Sequence, residues 1–130
     1  MRALAVLVGC LALAGCGASD RAPDAATVAV SFYAALDRGD GEAACEALAP
    51  QTQSKLEHQE GTPCDTAILD LDLPRGATAA KTSVYVTSAS VSLAQGGRTF
   101  LDEFEEGWKV SAAGCAPAAP DLPYECELEG

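Results

Sequence analysis

The sequence predicts an α+β domain in which N-terminal helices pack on a curved antiparallel sheet, preceded by a cleaved export signal. Three observations predict it. Val28, Phe32 and Leu36 recur at a spacing of four, the period drops to two after Pro74-Arg75-Gly76, and glycine turns then divide the second half into short runs.

The first helix is expected from Thr27, an N-cap residue, with Val28, Phe32 and Leu36 on one face beside Ala29 and Ala35, ending near Gly39. Asp40 can cap a second helix, "GEAACEAL", that stops before Pro50, and "QTQSKLEHQ" reads as a short, exposed helical turn. In "TPCD", Thr62 is the expected N-cap, Pro63 the first helical residue and Asp65 the capping-box acid of a further helix through Ile68 and Leu69. The twofold pattern follows. Val84 and Val86 share one parity, whereas Ala89, Val91 and Leu93 share the other, so a turn or bulge must separate them. Gly96-Gly97 and Gly107 mark two hairpins, joining strands at Arg98 to Phe104 and Trp108 to Ala113. After Pro117, Pro120 and Pro123, the ending "PYECELEG" reads as a last short strand.

The N-terminus is an address before it is a fold. Met1-Arg2 is a short basic region, Ala3 to Leu13 an apolar run broken by Gly9, and small residues follow. That run is far shorter than the roughly 20 residues of a membrane-spanning helix. Leu13-Ala14-Gly15-Cys16 has the Leu-small-small-Cys order of a lipobox and resembles bacterial lipoprotein precursors. The resemblance implies a signal at residues 1–15, a diacylglycerol on the Cys16 thiol, acylation of the new amino group, and a protein held on the outer face of the cell membrane. Two or more acyl chains, at about 0.8 kcal/mol per buried methylene, anchor where one would not. A plain secretory signal is the competing reading. The small, polar residues 17–26, "GASDRAPDAA", read as a flexible tether of at most about 33 Å, leaving one domain at 27–130.

Cleavage removes one base, Arg2, of the eight and none of the nineteen acids, so the mature chain is strongly acidic. Such a surface disfavours nucleic acid and an anionic lipid surface as partners, since both need basic patches. The same balance also serves solubility. Aromatic residues are few, so the core must lean on Val, Leu and Ala. Covalent support is available in the four cysteines left once Cys10 is discarded and Cys16 lipidated. Of three connectivities, Cys45 with Cys64 and Cys115 with Cys126 are favoured because each pair brackets a local unit, and each closure is worth around 3 kcal/mol in the chain-entropy model. A zinc site fits the spacings poorly, and His58 is the sole histidine.

The helical "AVSFYAALDRGDGEAACEALAP", the hairpin "GGRTFLDEFEEGWKVSAAGC" and the ending "PYECELEG" together resemble small bacterial lipoproteins built on the nuclear-transport-factor-2-like cone, a cystatin-like α+β fold. The resemblance spans most of residues 27–130 and concerns fold rather than activity. It implies a pocket between helices and sheet, for which Phe32, Tyr33, Tyr85, Phe100, Asp102, Phe104 and Trp108 are the candidate lining residues. Relatives that are isomerases, dehydratases or cyclases place an acid there, and Asp102, between two aromatics of its own parity, is the candidate general base. The acidic run Asp102, Glu103, Glu105 and Glu106 lacks the spacing of a calcium loop and reads as a solvated hairpin edge. No cofactor or metal is expected. The preferred expectation is a non-catalytic module of the cell envelope, anchored through its lipid, that binds a small molecule or an envelope protein, with a homodimer through the sheet left open. The alternatives are an accessory lipoprotein with a filled cone, or an enzyme using Asp102.

Overall fold

The computed structural model describes residues 21–130. The lipobox and Cys16 lie outside the described residues. Four helices come first: α1 (Ala22–Asp37), α2 (Gly41–Glu46), α3 (Pro50–Glu60) and α4 (Cys64–Asp70). Five strands follow: β1 (Ala79–Tyr85), β2 (Ser88–Leu93), β3 (Arg98–Phe104), β4 (Gly107–Pro117) and β5 (Tyr124–Glu129). They pair antiparallel in the order β1-β2-β3-β4-β5, an open sheet in chain order. The α+β layout and the three hairpin turns are as the change of period predicts.

Helix α1 begins at Ala22 instead of Thr27, so half of the expected tether belongs to the folded domain. Pro23 lies in the first turn, where its missing N–H costs nothing, and Asp24 sits beside the free N–H groups of that turn. Thr27 is not the cap, its hydroxyl instead donating back to the Pro23 carbonyl. Ala25, Ala29, Phe32, Tyr33 and Leu36 form the buried stripe. The helix stops at Gly39, whose φ of 70° places it in the left-handed region.

The Asp40 carboxylate accepts from the Ala43 N–H and caps α2 as expected. Beyond it Leu48 forms a parallel bridge to Val110, which extends the sheet past the end of β5. The segment expected to be a short turn is the 11-residue α3. Pro50 starts that helix but does not end the one before, since α2 stops at Glu46, short of the expected Leu48, and Thr52 and Leu56, four apart, are buried. Helix α4 corrects the capping prediction. Pro63 is itself the N-cap, with an extended ψ of 149°, and Thr62 does not cap the helix, although the Asp65 carboxylate accepts from the Thr66 N–H in its first turn. Glu57 of α3 caps it from outside, accepting from the Cys64 N–H at 3.1 Å.

Helix α1 runs antiparallel to β3 across one face of the sheet. The Arg21 guanidinium pairs with Glu103 at one end, and Tyr33 meets the Thr99 hydroxyl at 2.6 Å farther along. Beyond the helix C-terminus Arg75 donates to the Leu36 carbonyl, and the Gly76 N–H donates to both Asp37 carboxylate oxygens. Phe32, Tyr33, Leu36, Ile68, Val91, Leu101, Trp108 and Val110 fill the space between helices and sheet. Helices α2 and α4 cross so closely that a Cβ on Gly41 would overlap the Asp65 backbone carbonyl.

Two outcomes follow from this packing. Gly41→Ala must push α2 off α4 against backbone and should cost on the order of 2 kcal/mol, read as a lowered urea midpoint. Burial holds the Tyr33 phenol above the ordinary value of 10.0, outweighing the downward pull of its hydrogen bonds to Thr99 and the Gly114 backbone. The unfolded chain therefore releases this proton first as pH rises beyond 10.0, and stability present below that value is lost above it. Denaturation midpoints below and above that pH should fall less in Tyr33→Phe than in the parent.

Candidate functional site

The seven residues expected to share a pocket occupy three separate places. Phe32, Tyr33 and Trp108 belong to the buried core, with the first two rings edge-to-face at 5.1 Å. Thr99 and Leu101 face α1 and are fully buried, so Phe100, Asp102 and Phe104, which alternate with them, lie on the opposite face of the sheet. Tyr85 stands at the tip of the β1–β2 hairpin, exposed. The expected enclosure does not assemble, because aromatic side chains occupy the volume in which it would lie.

Asp102 is partly exposed and accepts from the Ser88 hydroxyl at 2.8 Å, with Lys109 opposite it in the β3–β4 register. Phe104 and Asp102 border an open groove of about 330 Å³ with Thr52, Ser111 and Gly130, where the chain end meets α3. His58 is exposed on the last turn of α3, away from this groove. Phe100 instead packs edge-on against Tyr124 at 5.7 Å, and the Arg98 guanidinium lies 5.1 Å from the centre of the Tyr124 ring. That three-residue stack escaped the sequence reading, although Arg98 and Phe100 share one strand parity. Its missing partner lay beyond the proline-rich loop, where no periodicity carries the register across.

The acidic run divides too. Glu103 faces the Arg21 guanidinium, while Glu105 and Glu106 form the exposed β3–β4 turn. Among the described residues no cluster of three or more His, Cys, Asp or Glu side chains is arranged to hold a metal ion.

Both disulfides have the expected partners, Cys45 with Cys64 and Cys115 with Cys126. The first staples α2 to α4 with its Cα atoms 6.0 Å apart, and the second ties β4 to β5 within one register pair. Around the first lies an open cleft of about 460 Å³ rimmed by Glu42, Glu46, Glu57 and Asp65. Two disulfides in so small a domain point to an oxidising, extracytoplasmic compartment. Among the described residues no helix is long and apolar enough to cross a membrane. Comparison of the chain with protein-family models, curated proteins and solved structures finds no match.

The short helices α2 and α4 depend on the staple more than the sheet does. Replacing Cys45 and Cys64 together by Ser should cost about 3 kcal/mol. Hydrogen exchange should rise first in α2 and α4 while the amides of β2 and β3 stay protected.

Proposed function

We propose that this chain is a lipid-anchored extracytoplasmic protein that works as a non-catalytic interaction module of the cell envelope, meeting its partner through its outer surface. The observation that carries this reading is the filled interior. Phe32, Tyr33, Leu36, Leu101 and Trp108 take up the space between α1 and the sheet, and a ligand of metabolite size would have to displace them. What remains outside is a set of open clefts and a sheet face with exposed or half-exposed Phe100, Phe104 and Tyr124. These suit contact with a macromolecule better than capture of a small one.

The lipobox at Leu13 to Cys16 supports the anchor, and the two disulfides agree with export. We assign the domain to the nuclear-transport-factor-2-like group on the motifs of its sequence, with the helices-then-sheet order in accord. Asp102, open to solvent and tied to Ser88, is read as a surface carboxylate and not as a base.

Protein extracted from its own cells should begin at an acylated Cys16 by mass spectrometry, and Cys16→Ala should leave the membrane fraction. In a native mass spectrum the purified domain should travel without a small molecule. An adduct lost on denaturation would overturn the surface reading, and an unacylated N-terminus would overturn the anchor.

A further inference from the structure

The described chain begins at a fixed point of the sheet. The Arg21 guanidinium pairs with the Glu103 carboxylate and lies 5.9 Å from the centre of the Trp108 ring. The Glu103 N–H in turn donates to the Thr87 carbonyl at 2.8 Å, and Thr87 belongs to the turn that joins β1 to β2. Arg21, through Glu103 of β3, and the β1–β2 turn therefore lie at the same end of the sheet, β3 and β2 being neighbouring strands about 5 Å apart.

That turn is unusual in two ways. Val86 adopts φ 52°, a left-handed conformation that a β-branched residue resists. Val86 is also 80% exposed and Tyr85 66% exposed, the two most exposed large apolar side chains of the described residues. The remaining two exposed ones, Leu122 and Tyr124, lie towards the opposite end of the sheet, where β4 turns into β5.

Four residues separate Cys16 from Arg21, so five steps at about 3.3 Å limit the tether to about 17 Å. With Cys16 lipidated, the end of the sheet that carries Arg21 cannot move far from the headgroups. We propose that this end faces the bilayer and that Tyr85 and Val86 rest in the headgroup region, making the β1–β2 turn a second, non-covalent contact with the membrane. The proposal rests on the lipidated Cys16 of the preceding reading.

The chemistry of the turn suits a lipid interface. Tyrosine sits well at that depth, its ring among the upper acyl segments and its hydroxyl in water. Val86 and Thr87 bring no charge to be desolvated. Glu105 and Glu106 on the neighbouring turn would be repelled by anionic headgroups, so apolar contact and the short tether hold this end down, and charge attraction does not. The lipid then does two jobs. It anchors the chain, and through the Arg21 contacts it presents the opposite end, with Leu122 and Tyr124, to the space beyond the membrane.

The test uses the full chain, processed and acylated in cells, with a nitroxide on Val86→Cys or, at the opposite end, on Leu122→Cys. Each is placed in phosphatidylcholine vesicles, and collision rates with oxygen and with a water-soluble nickel chelate are measured. The label at 86 should gain oxygen collisions and lose nickel collisions severalfold relative to the same label on the unanchored Cys16→Ala chain, while the label at 122 should not change. Protein that floats with the vesicles but carries a water-exposed label at 86 overturns the orientation and leaves the anchor standing. Protein that neither floats nor carries acyl mass overturns the anchor and the orientation together.

Discussion

The path of α1 along β3 is the constraint on which the rest of the molecule depends. The helix is held by the Arg21 pair with Glu103 at its start, by the Tyr33 and Thr99 hydroxyls near its middle, and by Arg75 and Gly76 around its end. Ala25 and Ala29 let it approach the sheet closely, and Phe32, Tyr33 and Leu36 then fill the gap. A helix with larger residues at the alanine positions would ride higher and open a cavity beneath it. This one is set low, and the space between helix and sheet is filled by buried side chains.

Helices α2 to α4 solve a different problem. They are short, and their own apolar residues are too few to hold them as a layer. Three constraints act in place of a larger core: the Cys45–Cys64 bridge, the side-chain-free crossing at Gly41, and the Glu57 carboxylate that caps α4 from α3. Each joins one helix to another rather than strengthening a helix by itself. The Leu48 bridge to Val110 then ties the cluster to the edge of β4 that β5 leaves free. Covalent and backbone restraints thus stand in for the apolar area that a chain poor in aromatics lacks.

How much could be read from the residues varied with the kind of signal. Strand β3 falls at Arg98 to Phe104 as expected, because a twofold pattern bounded by Gly96-Gly97 and Gly107 leaves little freedom. The start of α1 is not legible in the residues, because "DRAPDAA" has the composition of a tether and only tertiary contacts of Arg21, Ala25 and Ala29 make it a first helical turn. Thr62 has the residue type of a cap, but the extended ψ of Pro63 moves the boundary one residue on, and Glu57 of α3 accepts from the Cys64 N–H. The candidate pocket failed for a more general reason. Parity says which residues of β3 share a face, and it does not say which face α1 will cover.

That last ambiguity decides the environment of Asp102. Had α1 settled on the face of Phe100, Asp102 and Phe104, the acid would lie between two rings under a helix, a desolvated site able to raise its pKa. Instead Thr99 and Leu101 face the helix, and the same acid is left partly exposed, accepting from the Ser88 hydroxyl with Lys109 opposite it in the register. The choice follows from the partners: Tyr33 needs a hydroxyl within the core, which Thr99 supplies, and Arg21 needs the carboxylate of Glu103 on that same face. Turning β3 over would bury Asp102 opposite an apolar helix stripe and leave the Tyr33 hydroxyl without a partner, two penalties that the observed register avoids. The arrangement that satisfies the buried polar groups is therefore also the one that leaves Asp102 at the surface and ties Arg21, ahead of α1, to the end of β3.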